Sequence, residues 1–270
     1  MMKIILATLL LGAAASASAV ELPLDIARQG SIKVAIVPNY PPMEFRDPAT
    51  NTLSGFDVEL GEALGRKLGL KLLWEETSFD QMMPGIASGR VDAILSGMTD
   101  LASRQDTAAF VDYLRSGPRF FVQTSRAAEF KDMMALCGKT VGASRRTSFP
   151  KHVAAWSDVH CGGEPIRFVG TEGSADARTQ LKQGRIDAAV QGGETLSYVM
   201  DLEPGAYVPI GDVFAFQFTG LALGVKETAL QHAVVDALDG LIADGSYRAL
   251  LAKWKLTDYG VERATINAGQ

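Results

Sequence analysis

A chain of 270 residues with a net charge of −5 lacks the basic surplus that a nucleic-acid binder would need. Its 47% hydrophobic content is enough for one large core or two smaller ones. Only two cysteines are present, Cys137 and Cys161, and no histidine stands at metal-ligand spacing from either.

The N-terminus reads as a targeting segment. Lys3 is a positive n-region, residues 4–15 are apolar, and Ala17-Ser18-Ala19 fits an A-x-A cleavage site, giving a signal peptide over residues 1–19. The apolar run is too short to span a membrane. No cysteine follows the cleavage site, so soluble export to the periplasm without a lipid anchor is expected, with the mature chain starting at Val20. Loss of Lys3 moves the net charge from −5 to −6. In that oxidising compartment the cysteine pair is expected to form a disulfide, Cys137–Cys161.

Residues 31–37 are apolar and β-branched, a first buried strand ended by the turn-rich Pro38-Asn-Tyr-Pro-Pro42. Gly55-Phe-Asp-Val-Glu-Leu60 opens a helix in which Leu60, Leu64 and Leu68 share a face, and Gly69 stops it. A strand over 71–74, a helix from Phe79 and a strand over 91–95 follow. This order predicts a largely parallel, doubly wound sheet. After a strand near 119–123 the pattern starts afresh, with strands over 139–143, 166–169 and 188–190 and helices from Ser148, Ser174 and Thr195. A strand over 219–225 and helices over 228–243 and 246–254 complete the chain, with Ser246 expected as an N-cap.

Two stretches nearly repeat: Ser88-Gly-Arg-Val-Asp-Ala-Ile-Leu95 and Gln183-Gly-Arg-Ile-Asp-Ala-Ala-Val190. Each reads as helix, glycine stop and short buried strand, so two similar α/β lobes are expected. Ligands of open α/β sheets sit beyond the carboxyl ends of the strands. The loops at 96–104 and 191–195 are therefore expected to face each other across a cleft. Lobe 1 is expected to be discontinuous, 20–120 plus 216–270, and lobe 2 to be 121–215. Two crossings between them permit hinge closure.

The motifs Tyr40-Pro-Pro-Met-Glu-Phe45, Gly55-Phe-Asp-Val-Glu-Leu60, residues 92–104, and Ile242-Ala-Asp-Gly-Ser-Tyr247 with Lys253-Trp254 together carry a family likeness. From about residue 32 to residue 256 the chain resembles the periplasmic solute-binding proteins of ABC-type amino-acid importers, family 3, the polar-amino-acid group. The resemblance implies a two-lobed Venus-flytrap fold of two doubly wound α/β sheets joined by a two-strand hinge. It also implies a monomer without cofactor or metal, whose partners are a small ligand and an inner-membrane ABC permease. Arg104 would grip the ligand α-carboxylate through parallel, charge-assisted bonds. Ser96, Gly97 and Thr99 of the neighbouring loop would add backbone N–H groups and a hydroxyl. Tyr40 and Phe79 would be aromatic walls, and Thr147 and Ser148 would cap the carboxylate at a helix N-terminus. Arg146 replaces a glycine of the family pattern, and two readings are open for it: a second cation at the ligand, or a side chain in solvent.

Gly192, within Gln191-Gly-Gly-Glu194, stands where the family has an aspartate for the ligand ammonium. Two alternatives follow: Glu194 takes the role from two positions on, or the ligand has no α-ammonium. Val37 stands where binders of basic amino acids often carry an aspartate, which argues against a cationic ligand side chain. The leading expectation is capture of an amino acid or related small carboxylate and delivery to an importer. The enzymatic alternative is a dehydratase of the cyclohexadienyl type on the same fold, with Glu194 or Glu44 as the acid. Against it, His152, His160 and His232 lie outside the cleft loops, and no Ser/His/Asp or Cys/His arrangement is present. A sensor module reporting to a receptor is a third reading.

Overall fold

The computed structural model describes residues 22–270, so the expected signal peptide lies outside the described residues. The chain enters through α1 (Leu24–Gln29) and β1 (Ser31–Ile36). Strands β2 (Asn39–Tyr40), β3 (Glu44–Arg46) and β4 (Leu53–Ser54) form a small antiparallel sheet of their own. Then come α2 (Phe56–Leu68), β5 (Lys71–Glu76), α3 (Phe79–Ala87), β6 (Ala93–Ile94), α4 (Ala102–Gln105) and β7 (Ala108–Ser116). A second run follows: β8 (Pro118–Gln123), β9 (Thr140–Ser144), α5 (Phe149–His160), β10 (Arg167–Thr171) and α6 (Ser174–Lys182). It ends with β11 (Ala188–Gly192), α7 (Gly193–Leu202) and β12 (Tyr207–Ile210). The chain returns through β13 (Gln217–Gly224), α8 (Thr228–Ala243), α9 (Ser246–Lys253) and β14 (Gly260–Ile266).

The six-stranded sheet has the order β14-β7-β13-β6-β1-β5. Its β5, β1 and β6 are parallel, as helical crossovers require. β13 and β14 run antiparallel to their neighbours, so only half of this sheet follows the expected parallel pattern. The cause is the double crossing: β7 leads out of the sheet and β13 leads back in beside it, in the opposite direction. The five-stranded sheet, β10-β9-β11-β8-β12, repeats the plan, with β10, β9 and β11 parallel and β8 and β12 antiparallel.

Period-two alternation buries both faces of the central strands. In β8, Phe120 and Val122 join Phe149 and Val153 of α5 on one face, while Phe121 packs with Ala177, Leu181 and Leu196 on the other. In β13, Leu221 and Leu223 meet Leu60 and Leu64 of α2, while Ala222 faces Met82 and Ile86 of α3.

The sequence repeat is a structural one. Gly89 and Gly184 are left-handed at φ 70° and 67°, as helix stops require. Asp92 Oδ2 accepts the Lys33 N–H at 2.7 Å, and Asp187 Oδ2 accepts the Thr140 N–H at 2.9 Å. One aspartate thus ties the start of an interior strand, β6 or β11, to its parallel neighbour, β1 or β9, in both halves. Cys137 and Cys161 are bonded, with Cα atoms 5.1 Å apart. Two local expectations need correction. Helix α7 starts at Gly193 rather than Thr195. Ser246 is the first helical residue of α9, Gly245 holds the cap position, and Asp244 Oδ1 accepts the Ser246 N–H. Among the described residues no helix is long and apolar enough to cross a membrane.

Candidate functional site

A cavity of about 390 Å³ lies between the two large sheets. It sits beyond the carboxyl ends of the parallel strands, where β1, β5, β6, β9, β10 and β11 give way to loops. All ten residues proposed from the sequence line it: Tyr40, Phe79, Ser96, Gly97, Thr99, Arg104, Arg146, Thr147, Ser148 and Glu194.

Their chemistry there is not uniform. Arg104, in the short helix α4, is half-buried and donates from Nη1 to the Thr99 carbonyl at 2.7 Å. Its guanidinium carbon lies 5.6 Å from the centre of the Phe79 ring. Burial lowers its pKa, with the Asp100 charge opposing. Among the described residues it forms no salt bridge, which leaves guanidinium donors for a ligand.

Ser96 shapes the wall but spends its hydroxyl inside the protein. Its Oγ accepts the Val37 N–H at 3.0 Å and donates to Glu44 Oε1 at 2.8 Å. The Gly97 N–H likewise points inward, to Asp57 Oδ2 at 2.7 Å. Thr147 Oγ1 donates to the Ser144 carbonyl and accepts the Phe149 N–H, a local turn bond. Ser148 Oγ donates to Gln217 Oε1 at 2.9 Å, joining the first turn of α5 to β13. Arg146 lines the cavity with its side chain half exposed, and its Nη1 pairs with Asp80 Oδ1 at 2.8 Å.

Glu194 is the most constrained of the set. Its side chain is buried at the N-terminus of α7, Oε1 accepts from the Tyr40 hydroxyl at 2.8 Å, and Oε2 accepts from Ser116 Oγ. A Cβ added at Gly192 would lie 1.9 Å from Glu194 Oε1, so the carboxylate fills the space that a side chain at 192 would use. Burial raises the Glu194 pKa, against the two hydroxyl donors.

Glu44, in the same wall, forms a buried acidic pair with Asp57 behind it. Asp57 accepts from the Tyr113 hydroxyl at 2.9 Å and from Gly97. Glu44 Oε2 has no hydrogen-bond partner among the described residues. Burial, then the neighbouring Asp57 charge, pushes the Glu44 pKa well above its ordinary value.

Six ionisable side chains line the cavity: Glu44, Asp80, Arg104, Arg146, Glu172 and Glu194. Asp80 is paired with Arg146 and Glu172 with Arg145, while Glu44 lies against Asp57 and accepts from Ser96. Arg104, Glu44 and Glu194 are left without an ionic partner among the described residues, and of the two acids Glu194 stands beside Tyr40 at the N-terminus of α7. The sequence reading missed Ser116, Gln217 and Thr219 as wall residues; the available signal was a polar residue at each end of an apolar strand beside a chain crossing.

A family model, bacterial extracellular solute-binding proteins, family 3, matches residues 32–257. The chain belongs to this family. The arginine-binding protein ArgT of Corynebacterium glutamicum is 27% identical to it, over 91% of this chain and 81% of that one. The histidine-binding periplasmic protein of Salmonella typhimurium is 26% identical, over 83% and 86%. Among solved structures, an ancestral amino-acid-binding protein described as a precursor of cyclohexadienyl dehydratase superposes with a TM-score of 0.74 at 25% identity, covering 85% and 97%. The family is one of solute-binding proteins, and the two-lobed fold expected from the sequence is the fold of this chain.

Proposed function

We propose that this protein captures a small zwitterionic amino acid between its lobes and delivers it to an ABC importer. The ligand carboxylate meets the free guanidinium face of Arg104, and its ammonium meets Glu194 beside Tyr40. The observation that carries this reading is the pairing in the cavity wall, which leaves Arg104 without an acidic partner and Glu194, beside Tyr40, without a basic one. Buried charges are costly without partners, so a ligand with both charges stabilises both. Tyr40 and Phe79 then flank the ligand side chain, with Thr99, Arg146, Thr147 and Ser148 completing the walls.

The moving bodies divide where the chain crosses between sheets, at residue 117 and over 211–216. The relatives are named for arginine and histidine binding, which makes those amino acids the first probes. Export by cleavage after Ala19, function as a periplasmic monomer and docking on an inner-membrane permease belong to the same proposal. The dehydratase reading gains no support: the solved neighbour whose description names that enzyme is itself an amino-acid-binding protein.

Calorimetric titration with L-arginine, L-histidine and L-glutamine, for the native protein and for Arg104→Ala, tests this. The variant is expected to lose at least about a hundredfold in affinity while its melting temperature changes little, because a buried charge-assisted bidentate contact disappears. Unchanged affinity would overturn the carboxylate role of Arg104.

A further inference from the structure

The family model ends at residue 257, yet the chain beyond it is ordered against the binding loop. β14 joins the edge of the six-stranded sheet, pairing Thr265 with Asp112 and Ile266 with Val111. The next three residues run along β7 and reach, at Gly269, the segment that carries Arg104. Asn267 exchanges two hydrogen bonds with the Phe110 backbone, at 2.8 and 3.0 Å. The Ala268 N–H donates to Asp112 Oδ2 at 3.1 Å, and the Gly269 N–H donates to Asp100 Oδ2 at 2.6 Å. Gln105 closes the circuit, its Nε2 donating to Asp100 Oδ1 at 2.8 Å and to the Gly269 carbonyl at 3.2 Å.

Asp100 and Gln105 bracket Arg104, so the tail is fastened to both ends of the arginine's segment. That segment has little support of its own. α4 is four residues long and has no side-chain cap, far below the length at which a helix holds itself. Asp100 is buried, and its carboxylate is satisfied largely from the tail and from Gln105. Gly269 fits only as glycine, because a Cβ there would lie 2.2 Å from the Asp100 carbonyl oxygen.

We propose that the C-terminal strap, residues 260–269, is a positioning element that holds Arg104 in register for the ligand carboxylate. The inference rests on the carboxylate role of Arg104 proposed above. A planar guanidinium gripping a carboxylate is sensitive to misplacement of an ångström, so a strap outside the ligand's reach sets affinity through the arginine alone.

The test uses the full chain with Gly269→Ala, Asp100→Ala and Asp100→Asn, titrated with L-arginine, L-histidine and L-glutamine. Gly269→Ala and Asp100→Ala are each expected to weaken the tightest of these probes by about tenfold or more. Asp100→Asn keeps an acceptor for the Gly269 N–H and is expected to stay within about threefold of native. In an Arg104→Lys background the loss from Gly269→Ala should shrink to within about twofold, since the effect runs through the guanidinium. Equal losses in both backgrounds would mean general destabilisation and would overturn the proposal. Hydrogen exchange over residues 99–107 gives a readout without ligand, and faster exchange confined to that segment is expected in Gly269→Ala. Unchanged exchange with unchanged affinity overturns the strap and leaves the Arg104 reading standing. If the native protein binds no carboxylate probe at all, the Arg104 reading fails and the strap's purpose fails with it.

Discussion

Gly192→Ala is the most informative single substitution. Gly192 has φ −60° and ψ 134°, values open to any residue, so glycine is there for space rather than conformation. The added Cβ would stand 1.9 Å from Glu194 Oε1 and 2.4 Å from its Cδ. Ordinary contact needs about 3.5 Å, so the carboxylate must retreat by about 1.5 Å. That stretches the 2.8 Å bond from Tyr40 past hydrogen-bonding distance and breaks the one from Ser116. Each bond to a charged acceptor contributes roughly 1.5–3 kcal/mol, and relaxation returns part of the two, leaving a loss of about 3 kcal/mol. If Glu194 is also the ammonium site, amino-acid affinity falls about a hundredfold. Calorimetric titration of native, Gly192→Ala, Glu194→Ala and the double variant measures this directly. In the double variant the new methyl meets no carboxylate, so alanine at 192 should add little to the loss from Glu194→Ala. Binding by Gly192→Ala within about twofold of native, or an equal effect in both backgrounds, would refute the steric reasoning.

Three further outcomes are expected. Reduction of Cys137–Cys161, whose sequence separation is 24, removes about 3 kcal/mol on the chain-entropy model. Calorimetry should show the melting temperature falling by roughly 5–10 °C, and an unchanged midpoint would contradict a stabilising bridge. Burial and the nearby Asp100 charge push the Asp112 pKa from 3.8 to about 7. Between those values the folded state keeps a proton that the unfolded chain releases, so this group lowers stability as pH rises from about 4 to 7 and not above. Asp112→Asn should therefore gain on the native protein in urea unfolding at pH 8 relative to pH 5, by up to a few kcal/mol, whereas parallel profiles would rule this out. Arg146 and Asp80 keep side-chain exposures of 50% and 44%, so their pair is worth less than about 1 kcal/mol. Arg146→Ala should weaken binding by no more than about fivefold, less at high salt, and a hundredfold loss would instead place Arg146 on the ligand.

Much of the fold was legible because it rests on local pattern. The Leu60, Leu64 and Leu68 stripe and the glycine stops at 69, 89 and 184 are set within one turn of chain, and each behaves as its spacing requires. The parity of sheet direction was not legible, because the antiparallel pairing of β7 with β13 joins residues about a hundred positions apart. The same limit applied to the site. The family resemblance, laid over the loop positions, brought all ten candidates to one cavity, but not the direction of their hydrogen bonds. Ser96 and Gly97 turn their donors toward Glu44 and Asp57, acids that enter from distant elements. The fit of the Glu194 carboxylate over Gly192 depends on atoms from residues 40 and 116, which no local spacing records. The strap was missed for a related reason: residues 260–269 carry little apolar periodicity, and they hold the Arg104 segment through the tail backbone at Gly269, bonded to the side chains of Asp100 and Gln105.

The central claim is that one ligand bears both charges needed by Arg104 and Glu194. Thermal unfolding of ligand-stripped protein with L-arginine, L-histidine and L-glutamine, each beside its des-amino and its decarboxylated counterpart, tests it most directly. An intact amino acid at about 100 times its Kd should add roughly 2.7 kcal/mol and raise the melting temperature visibly, with neither counterpart doing so at the same concentration. An equal shift from the des-amino acid would show that Glu194 receives no ammonium, and no shift from any L-amino acid would contradict zwitterion capture altogether.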